Sequence, residues 1–357
     1  MSFTHRLTPD DVRRIDQSGM TAHIAAMGSQ IRESIELTNA ALSGATLLKD
    51  VKQIIVCGMG GSAIGGDFVR SYLGSALHVP FAVNRSYELP AYADAHTLII
   101  ASSYSGNTEE TLAMFDEASR RKCPIVCIST GGELVERAKA QGILVLPLHE
   151  GLMPRAAFAY SFVPVLLVLD RLGFTSGEQK NLEAAATLLD TLAERYGTGH
   201  LEESNPAFQL AGQFLHRIPV IYSASDFEAV CLRWRGQMEE NAKHLAFGNV
   251  LPEMNHNEIE GWSHPADVIE HLFVIILRAP EDENPRIQLR FAALSDILRG
   301  KQVPVVEIKA EGTTRLERML SLIAMADWTS LYLALFAGTD PTPIQTMEEL
   351  KKKLSRE

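Results

Sequence analysis

The stretch QIIVCGMGGSAIGGD, residues 53–67, decides the fold class. Its first five residues form a short apolar run that is typical of a buried parallel strand, and the glycine-rich remainder leads into a helical pattern. Glycine lets the backbone approach a ligand closely, and the first turn of a helix offers unpaired N–H groups at the positive end of its dipole. The stretch therefore predicts a strand, a turn that can hold a phosphate, and a helix.

The same alternation of apolar runs and helical patterns continues along the chain, which indicates parallel strands covered by helices on both faces. The predicted strands are 53–57, 79–83, 97–101, 124–128 and 144–146, and in a weaker copy of that order 218–222, 272–277 and 303–308. We expect an α/β protein with two doubly wound domains, each a mostly parallel sheet flanked by helices. The predicted limits are 1–175 for the N-terminal domain, 176–205 for a helical linker, and 206–357 for a C-terminal domain that ends in a helix.

Composition excludes several classes of protein. The chain has 357 residues, of which 46% are hydrophobic and 22% charged, so a large core is expected and disorder is not. The net charge is −11 and the basic residues are scattered, so we expect no nucleic-acid partner. The first residues lack a signal peptide's apolar run and no run approaches the ~18 residues of a membrane helix, so we expect a cytoplasmic protein without a membrane partner.

A second turn, SSYSGNTEE at 102–110, follows the third predicted strand. The hydroxyls of Ser103, Ser105 and Thr108 can all donate to one phosphate beside the N–H groups of a helix start. An ordinary helix cap is the alternative, but a cap needs only one hydroxyl. A sugar phosphate held by neutral donors fits this turn better than a dinucleotide does.

An NADP-dependent dehydrogenase is a competing interpretation of the first turn. Gly58, Gly60 and Ala63 fit the dinucleotide fingerprint G-x-G-x-x-G/A. That fingerprint requires an acid at the end of the next strand, where this chain has Asn84 and Arg85. Only an NADP enzyme, whose 2′-phosphate could meet Arg85, remains possible on this interpretation.

Charged residues elsewhere are candidates for acid–base chemistry. Arg155 opens an apolar helix, where it could stabilise an enediolate or reach solvent at the helix end. Adjacent Glu239 and Glu240 on one helix point in different directions, so only one can face a cleft. His256 lies in a polar loop, which favours a functional role. No metal site is expected, because the nearby acidic and histidine side chains match no ligand spacing; these are Glu258, Glu260 and His264.

Five motifs together resemble the bifunctional phosphoglucose/phosphomannose isomerases, a family built from two sugar isomerase (SIS) domains. The motifs are GMGGS at 58–62 followed by Gly66 and Asp67, SYSGNT at 103–108, PRAA at 154–157, ENAK at 240–243 and NHNE at 255–258. They occur in order over nearly the whole chain. The serine-rich turn alone would indicate only some SIS domain, whereas the set with its interval between Glu240 and His256 is much more specific.

The resemblance implies an aldose–ketose isomerase that interconverts glucose 6-phosphate, and also mannose 6-phosphate, with fructose 6-phosphate through a cis-enediol. It implies no metal and no other cofactor. Glu240 would move a proton between C1 and C2, and Arg155 would offset the negative charge of the intermediate. The implied phosphate-binding residues are Gly60, Gly61, Ser62, Ser103, Ser105 and Thr108.

Further roles and partners come from the resemblance alone. His256 would help to open the sugar ring from the other subunit of a homodimer. Lys351 is the best match for a C-terminal lysine that takes part in the family, although Lys352 and Lys353 follow it. The second hypothesis is a non-catalytic SIS sensor of sugar phosphates, and the predicted base, arginine and histidine argue against it.

Two positions depart from the family. Glu239 stands where a neutral polar residue is expected, and we predict that its side chain points outward. Ile344 aligns with a threonine that makes room for turning the substrate, with Thr342 and Thr346 on either side. The resemblance therefore supports glucose activity more strongly than mannose activity.

Overall fold

The computed structural model describes residues 7–45, 50–201 and 204–354. The chain divides into two compact units, each containing one parallel sheet. The first unit comprises Ala26–Asp190 and Gly312–Leu320, and the second unit comprises Met1–Ala25, Thr191–Glu311 and Ser321–Glu357. Two parallel α/β sheets flanked by helices confirm the predicted fold class. The predicted domain limits at 175 and 205 stay a prediction.

The helices are numbered in chain order: α1 (Pro9–Ile15), α2 (Met20–Ala25), α3 (Met27–Leu42), α4 (Gly60–Leu73), α5 (Glu109–Arg120), α6 (Gly132–Ala140), α7 (Phe158–Arg171), α8 (Glu178–Tyr196), α9 (Pro206–Gln213), α10 (Glu228–Ala242), α11 (Glu258–Gly261), α12 (Ala266–Ile269), α13 (Pro285–Gly300), α14 (Arg315–Phe336) and α15 (Gln345–Leu354). Short 3₁₀ helices occupy Gly74–Ala76, Pro154–Ala156, Ser225–Phe227 and Glu253–His256. The stretch predicted as a linker contains α8, whose 19 residues include a buried apolar face.

The sheet of the first unit has five parallel strands: β1 (Gln53–Cys57), β2 (Phe81–Asn84), β3 (Thr97–Ser102), β4 (Ile125–Ser129) and β5 (Leu144–Pro147). They lie in the order β2-β1-β3-β4-β5. The strand order reverses between β1 and β3, which makes their carboxyl ends the topological switch point where ligands bind in such sheets. The glycine-rich turn that begins at Gly58 follows β1, and the serine-rich turn that begins at Ser103 follows β3.

Helices cover both faces of this sheet. Because side chains alternate along a strand, neighbouring residues of β1 pack on opposite faces. Val56 meets Gly66 of α4, whereas Ile55 packs with Met114 of α5. Helix α7 packs against both α3 and α4, and all of its residues from Phe158 to Leu169 are buried. A helix that is apolar on every side belongs in a core, as its sequence predicts.

The sheet of the second unit has four parallel strands: β6 (Ile218–Ala224), β7 (Phe247–Leu251), β8 (Leu272–Arg278) and β9 (Val305–Lys309). Their order is β7-β6-β8-β9. The sequence did not predict β7, because Gly248 and Asn249 interrupt its apolar pattern. It forms at the sheet edge by pairing with β6, with Phe247 opposite Val220.

Helix α14 is the one helix in the described ranges that is long and apolar enough to cross a membrane. Its most apolar window is 94% buried, as in the core helix of a globular fold. Within the second unit, the indole Nε1 of Trp234 on α10 donates to the carbonyl of Leu322 at 2.9 Å. Helix α14 is therefore buried inside the protein.

Candidate active site

The turn between β1 and α4 carries the first predicted phosphate ligands. Gly60 has a φ of +47°, a left-handed conformation that favours glycine, and a Cβ there would meet nothing within 4 Å. A Cβ on Gly61 would lie 2.9 Å from the carbonyl of Pro154, so this glycine permits close packing against the segment that holds Arg155. Met59, at the N-cap of α4, makes no side-chain cap. The helix start therefore faces the switch point without a capping side chain.

The serine-rich turn after β3 is held by its own hydroxyls. Ser103 is buried, and its Oγ lies 2.9 Å from Oγ1 of Thr108 and accepts a hydrogen bond from the N–H of Gly106 at 3.1 Å. Thr108 occupies the N-cap position of α5 but makes no capping bond. The alternative of an ordinary helix cap is therefore wrong for Thr108. Ser105 is exposed at the tip of the turn.

The two turns are joined to each other. The N–H of Tyr104 donates to Oγ of Ser62 at 3.1 Å. Because this bond uses Ser62 only as an acceptor, its O–H proton remains available to a ligand. The Ser103 and Thr108 hydroxyls share one hydrogen bond, which leaves one of their two protons for a ligand as well. Neutral donors from both turns thus lie together at the switch point.

Tyr104 links this turn to two further strand ends. Its carbonyl accepts from N and Oγ1 of Thr130, after β4, at 3.1 and 2.7 Å. Its hydroxyl donates to the carbonyl of His149 at 2.8 Å and accepts from the N–H of Leu152 at 2.9 Å, both after β5. The sequence places Tyr104 within the SYSGNT motif but does not predict these bonds. The sequence feature that marks Tyr104 is its large side chain between two small hydroxyl residues, Ser103 and Ser105.

Arg155 lies in the 3₁₀ helix Pro154–Ala156 and is only 3% exposed. The alternative in which its side chain reaches solvent is therefore wrong. A cation taken out of water has a large desolvation cost, so a buried guanidinium indicates a specific electrostatic role. The contact between Pro154 and Gly61 places this segment directly beside the glycine-rich turn.

The environment of Arg85 argues against the dehydrogenase interpretation. Asp67 on α4 is almost completely buried and forms an ion pair with Arg85. Arg70 lies 3.5 Å from the other carboxylate oxygen of Asp67. The guanidinium that an NADP 2′-phosphate would require is therefore already paired with a carboxylate.

Glu239 and Glu240 lie near the C-terminal end of α10 in the second unit. Glu239 is exposed and Glu240 is half-buried, which confirms the prediction that Glu239 points outward. Partial burial raises the pKa of Glu239, and the neighbouring carboxylate of Glu240 adds to this, whereas Arg235 opposes it. The ammonium of Lys243 donates to the backbone carbonyls of Glu240 and Pro341 at 2.9 and 2.8 Å, which fixes the helix end.

His256 ends the 3₁₀ helix that follows β7 and is exposed. It makes no hydrogen bond or ion pair with any other residue that the structure describes. The segment is anchored two residues later by Glu258, whose carboxylate accepts from the hydroxyl of Tyr222 and from Nδ2 of Asn249, the latter at 2.7 Å. Over the described ranges, no three His, Cys, Asp or Glu side chains are grouped to hold a metal ion.

Lys351 lies on α15, which has no buried residue. No hydrogen bond or ion pair within the described part of the chain joins Lys351 to Glu240 or His256, and the neighbouring Lys353 pairs with Glu349 at 3.2 Å. The structure thus gathers the predicted phosphate ligands beside the Arg155 segment in the first unit. Glu240 and His256 belong to the second unit, on consecutive elements around β7.

Comparison with known proteins agrees with these motifs. A SIS domain model matches residues 47–172, and the model of the bacterial phospho-glucose isomerase C-terminal SIS domain matches residues 203–354. A bifunctional phosphoglucose/phosphomannose isomerase of Caldicellulosiruptor bescii is 40% identical over 308 residues, covering 86% of this chain and 91% of that relative. This chain belongs to the bifunctional phosphoglucose/phosphomannose isomerase family.

Other comparisons support the same family and fold. The bifunctional phosphoglucose/phosphomannose isomerase of Aquifex aeolicus is 36% identical over 310 residues, 87% of this chain and 92% of that relative. A crystal structure of a hypothetical protein from Thermus thermophilus superposes with a TM-score of 0.73 at 13% identity, covering 97% of this chain and 92% of that one, and shows the fold alone. Membership of this isomerase family confirms the predicted family and the prediction of a sugar-phosphate isomerase, and the sensor hypothesis is wrong.

Proposed function

We propose that the protein interconverts glucose 6-phosphate and mannose 6-phosphate with fructose 6-phosphate. The observation that carries this proposal is the pair of joined turns at the switch point of the first sheet, lined with hydroxyl donors and lying beside the buried Arg155 segment. A sugar phosphate is the ligand that suits neutral donors and two uncapped helix starts. The names of the relatives support the choice of sugars.

The phosphate group binds to both turns in this proposal. Ser62 donates its free O–H proton, and Ser103 or Thr108 donates the proton that their mutual bond leaves over. The exposed hydroxyl of Ser105 adds a third donor at the tip. Backbone N–H groups of Gly60 and Gly61 complete the site at the positive end of the α4 dipole.

Glu240 is the proposed base. It removes the proton from C2 of the open-chain aldose, giving a cis-enediol, and returns that proton to C1, while a proton moves from O2 to O1 to complete the ketose. Glucose and mannose differ only at C2, so both give the same planar enediol. Arg155 stabilises the negative charge that develops on the enediol oxygens. Ile344, in place of a threonine, is expected to slow the mannose reaction more than the glucose reaction.

His256 opens the sugar ring by proton transfer in this proposal, acting on the site of the partner subunit in a homodimer. Its exposed side chain, without a bond to any described residue of its own chain, supports that role. Lys351 is proposed as the C-terminal lysine of the site. We also propose that the protein works in the cytoplasm, where its sugar phosphates are retained.

A coupled assay tests the function directly. Purified protein with EDTA receives fructose 6-phosphate, and glucose 6-phosphate is detected through its dehydrogenase. A second reaction starts from mannose 6-phosphate, which yields the same signal only if the protein carries out both conversions. Turnover of both substrates is expected, with mannose slower. Turnover of neither, by protein that binds sugar phosphates, would contradict the proposal.

A further inference from the structure

We propose that Tyr104 is a positioning residue that keeps the phosphate-binding turn and the Arg155 segment in register. This inference rests on the proposed function, because it concerns how the phosphate site is placed relative to the charge of the enediol. Tyr104 follows β3 and is hydrogen-bonded to residues that follow three other strands of the first sheet, β1, β4 and β5. Its backbone N–H, its backbone carbonyl and its hydroxyl all take part in these bonds.

The backbone of Tyr104 makes hydrogen bonds at the proposed phosphate site. Its N–H donates to Ser62 at 3.1 Å, and its carbonyl accepts two bonds from Thr130. These bonds hold the serine-rich turn against the ends of β1 and β4. They do not involve the phenol ring, so a substitution of the side chain leaves their donors and acceptors in place.

The side chain of Tyr104 is hydrogen-bonded to the loop that leads into the Arg155 segment. Its hydroxyl donates to the carbonyl of His149 at 2.8 Å and accepts from the N–H of Leu152 at 2.9 Å. Leu152 is three residues before Arg155, and only Met153 separates it from the Pro154 that packs on Gly61. A shift of the loop at 149–152 would therefore move the guanidinium relative to the bound phosphate.

The outer side of that loop is held separately. Nδ1 of His149 lies 2.9 Å from Oε1 of Glu33 on α3, and the hydroxyl of Tyr160 donates to Oε2 of Glu33 at 2.5 Å. The imidazole of His149 also stacks on the ring of Tyr160. The loop is thus fixed toward α3 by side chains and toward the phosphate turn by Tyr104. Burial raises the pKa of Tyr104, which keeps its hydroxyl able to donate.

Tyr104→Phe removes the hydroxyl and keeps the ring. We expect kcat to fall about tenfold while KM for fructose 6-phosphate changes less than about twofold, because a small displacement of a charge-stabilising group slows the chemical step. Tyr92→Phe, an exposed tyrosine elsewhere in the first unit, is the matched control and should leave both constants unchanged. An unchanged kcat in Tyr104→Phe would overturn the proposal.

A binding experiment separates positioning from general damage and needs no turnover. Arabinonate 5-phosphate carries a carboxylate where the enediol carries its charge. Arabinitol 5-phosphate keeps the phosphate but has an uncharged alcohol in place of the carboxylate. Tyr104→Phe should weaken the first ligand about tenfold and the second less than about twofold by calorimetry. Equal weakening of both ligands would contradict the proposal. This result stands even if the wild type fails to isomerise sugars, in which case only the proposed function is lost.

Two further variants show whether Tyr104 acts through Arg155. In Arg155→Lys, adding Tyr104→Phe should cause no further loss of kcat, because residues that act as a unit are not additive. Additive losses would overturn the proposal. Replacing Tyr104 by 4-aminophenylalanine keeps a donor and an acceptor at the ring tip and should restore kcat to within about threefold of wild type. If the 4-aminophenylalanine variant folds but loses as much kcat as Tyr104→Phe does, the proposed role of the hydroxyl is contradicted.

Discussion

Nη2 of Arg233 lies 2.8 Å from Oδ2 of Asp327, and neither side chain is more than 4% exposed. Nε2 of Gln237 donates to the other oxygen of Asp327 at 2.8 Å. Arg233 and Gln237 lie on α10 and Asp327 lies on α14, so one buried carboxylate fastens the helix that carries Glu240. Burial raises the pKa of Asp327, and its bonds to Arg233 and Gln237 oppose the rise.

Replacement of Asp327 by Ala should destabilise the protein strongly. It leaves the guanidinium of Arg233 buried without its carboxylate, which costs about 3–5 kcal/mol of unfolding free energy. Urea unfolding at neutral pH measures the change. Asp10→Ala, which breaks the exposed pair between Asp10 and Arg13, is the control and should cost no more than about 1 kcal/mol. Equal effects of the two substitutions would show that burial does not determine the strength of the Asp327 pair.

Replacement of Glu240 by Gln should abolish turnover and preserve binding. The amide keeps the shape of the side chain but cannot accept the C2 proton, so kcat should fall by at least about a hundredfold. Calorimetry with fructose 6-phosphate should give an affinity close to that of the wild type. Glu239→Gln, at the exposed neighbouring position, is the matched control and should retain activity. Loss of activity in Glu239→Gln but not in Glu240→Gln would show that Glu239, and not Glu240, is the base.

Replacement of Ser105 by Ala should weaken substrate binding without slowing the reaction. Removal of a hydroxyl that donates to a charged phosphate is expected to raise KM at least about tenfold and leave kcat unchanged. Ser29→Ala, on an exposed position of α3, provides the control for loss of a serine hydroxyl. A KM that stays at the wild-type value would exclude Ser105 from the phosphate site.

The carboxylate of Glu117 should stabilise the folded protein at neutral pH but not at acid pH. The N–H of Leu89 donates to its Oε2 at 2.6 Å, and Arg121 pairs with its other oxygen, so the pKa of Glu117 lies below its usual 4.5 despite partial burial. The unfolded chain therefore binds the proton first, and this stabilisation is complete above pH 4.5 and lost as the pH falls below it. The difference in melting temperature between wild type and Glu117→Gln should accordingly shrink below pH 4.5. A constant difference across that range would contradict the assignment.

The parts of the fold that sequence predicts are those that local pattern determines. β1 and the turn at 58–62 are recognisable because an apolar run, glycines and a helical pattern follow one another directly. β7 is not recognisable, because Gly248 and Asn249 form a strand only by pairing with residues of β6 that lie 27 positions earlier, as in the pair of Ile221 with Gly248. An edge strand with little apolar content depends on its neighbour more than on its own residues.

The same distinction applies to the candidate site. The hydroxyls of Ser103 and Thr108 indicate a phosphate site because they are close together in the chain. The link made by Tyr104 cannot be predicted in this way, because its partners are 45 and 48 residues away and accept or donate through their backbone. Backbone groups are the same in every residue, so no side-chain pattern marks them.

Mixed dimers should show whether His256 acts on the partner subunit. Homodimers of Glu240→Gln and of His256→Ala each lack one essential group in both sites and should be inactive. If each site combines Glu240 from one chain with His256 from the other, a mixed dimer contains one complete site. Co-expression in equal amounts makes half of the dimers mixed, so about a quarter of wild-type activity should return. Activity that stays at the level of the parent variants, in dimers shown by mass spectrometry to be mixed, would place His256 in the site of its own chain.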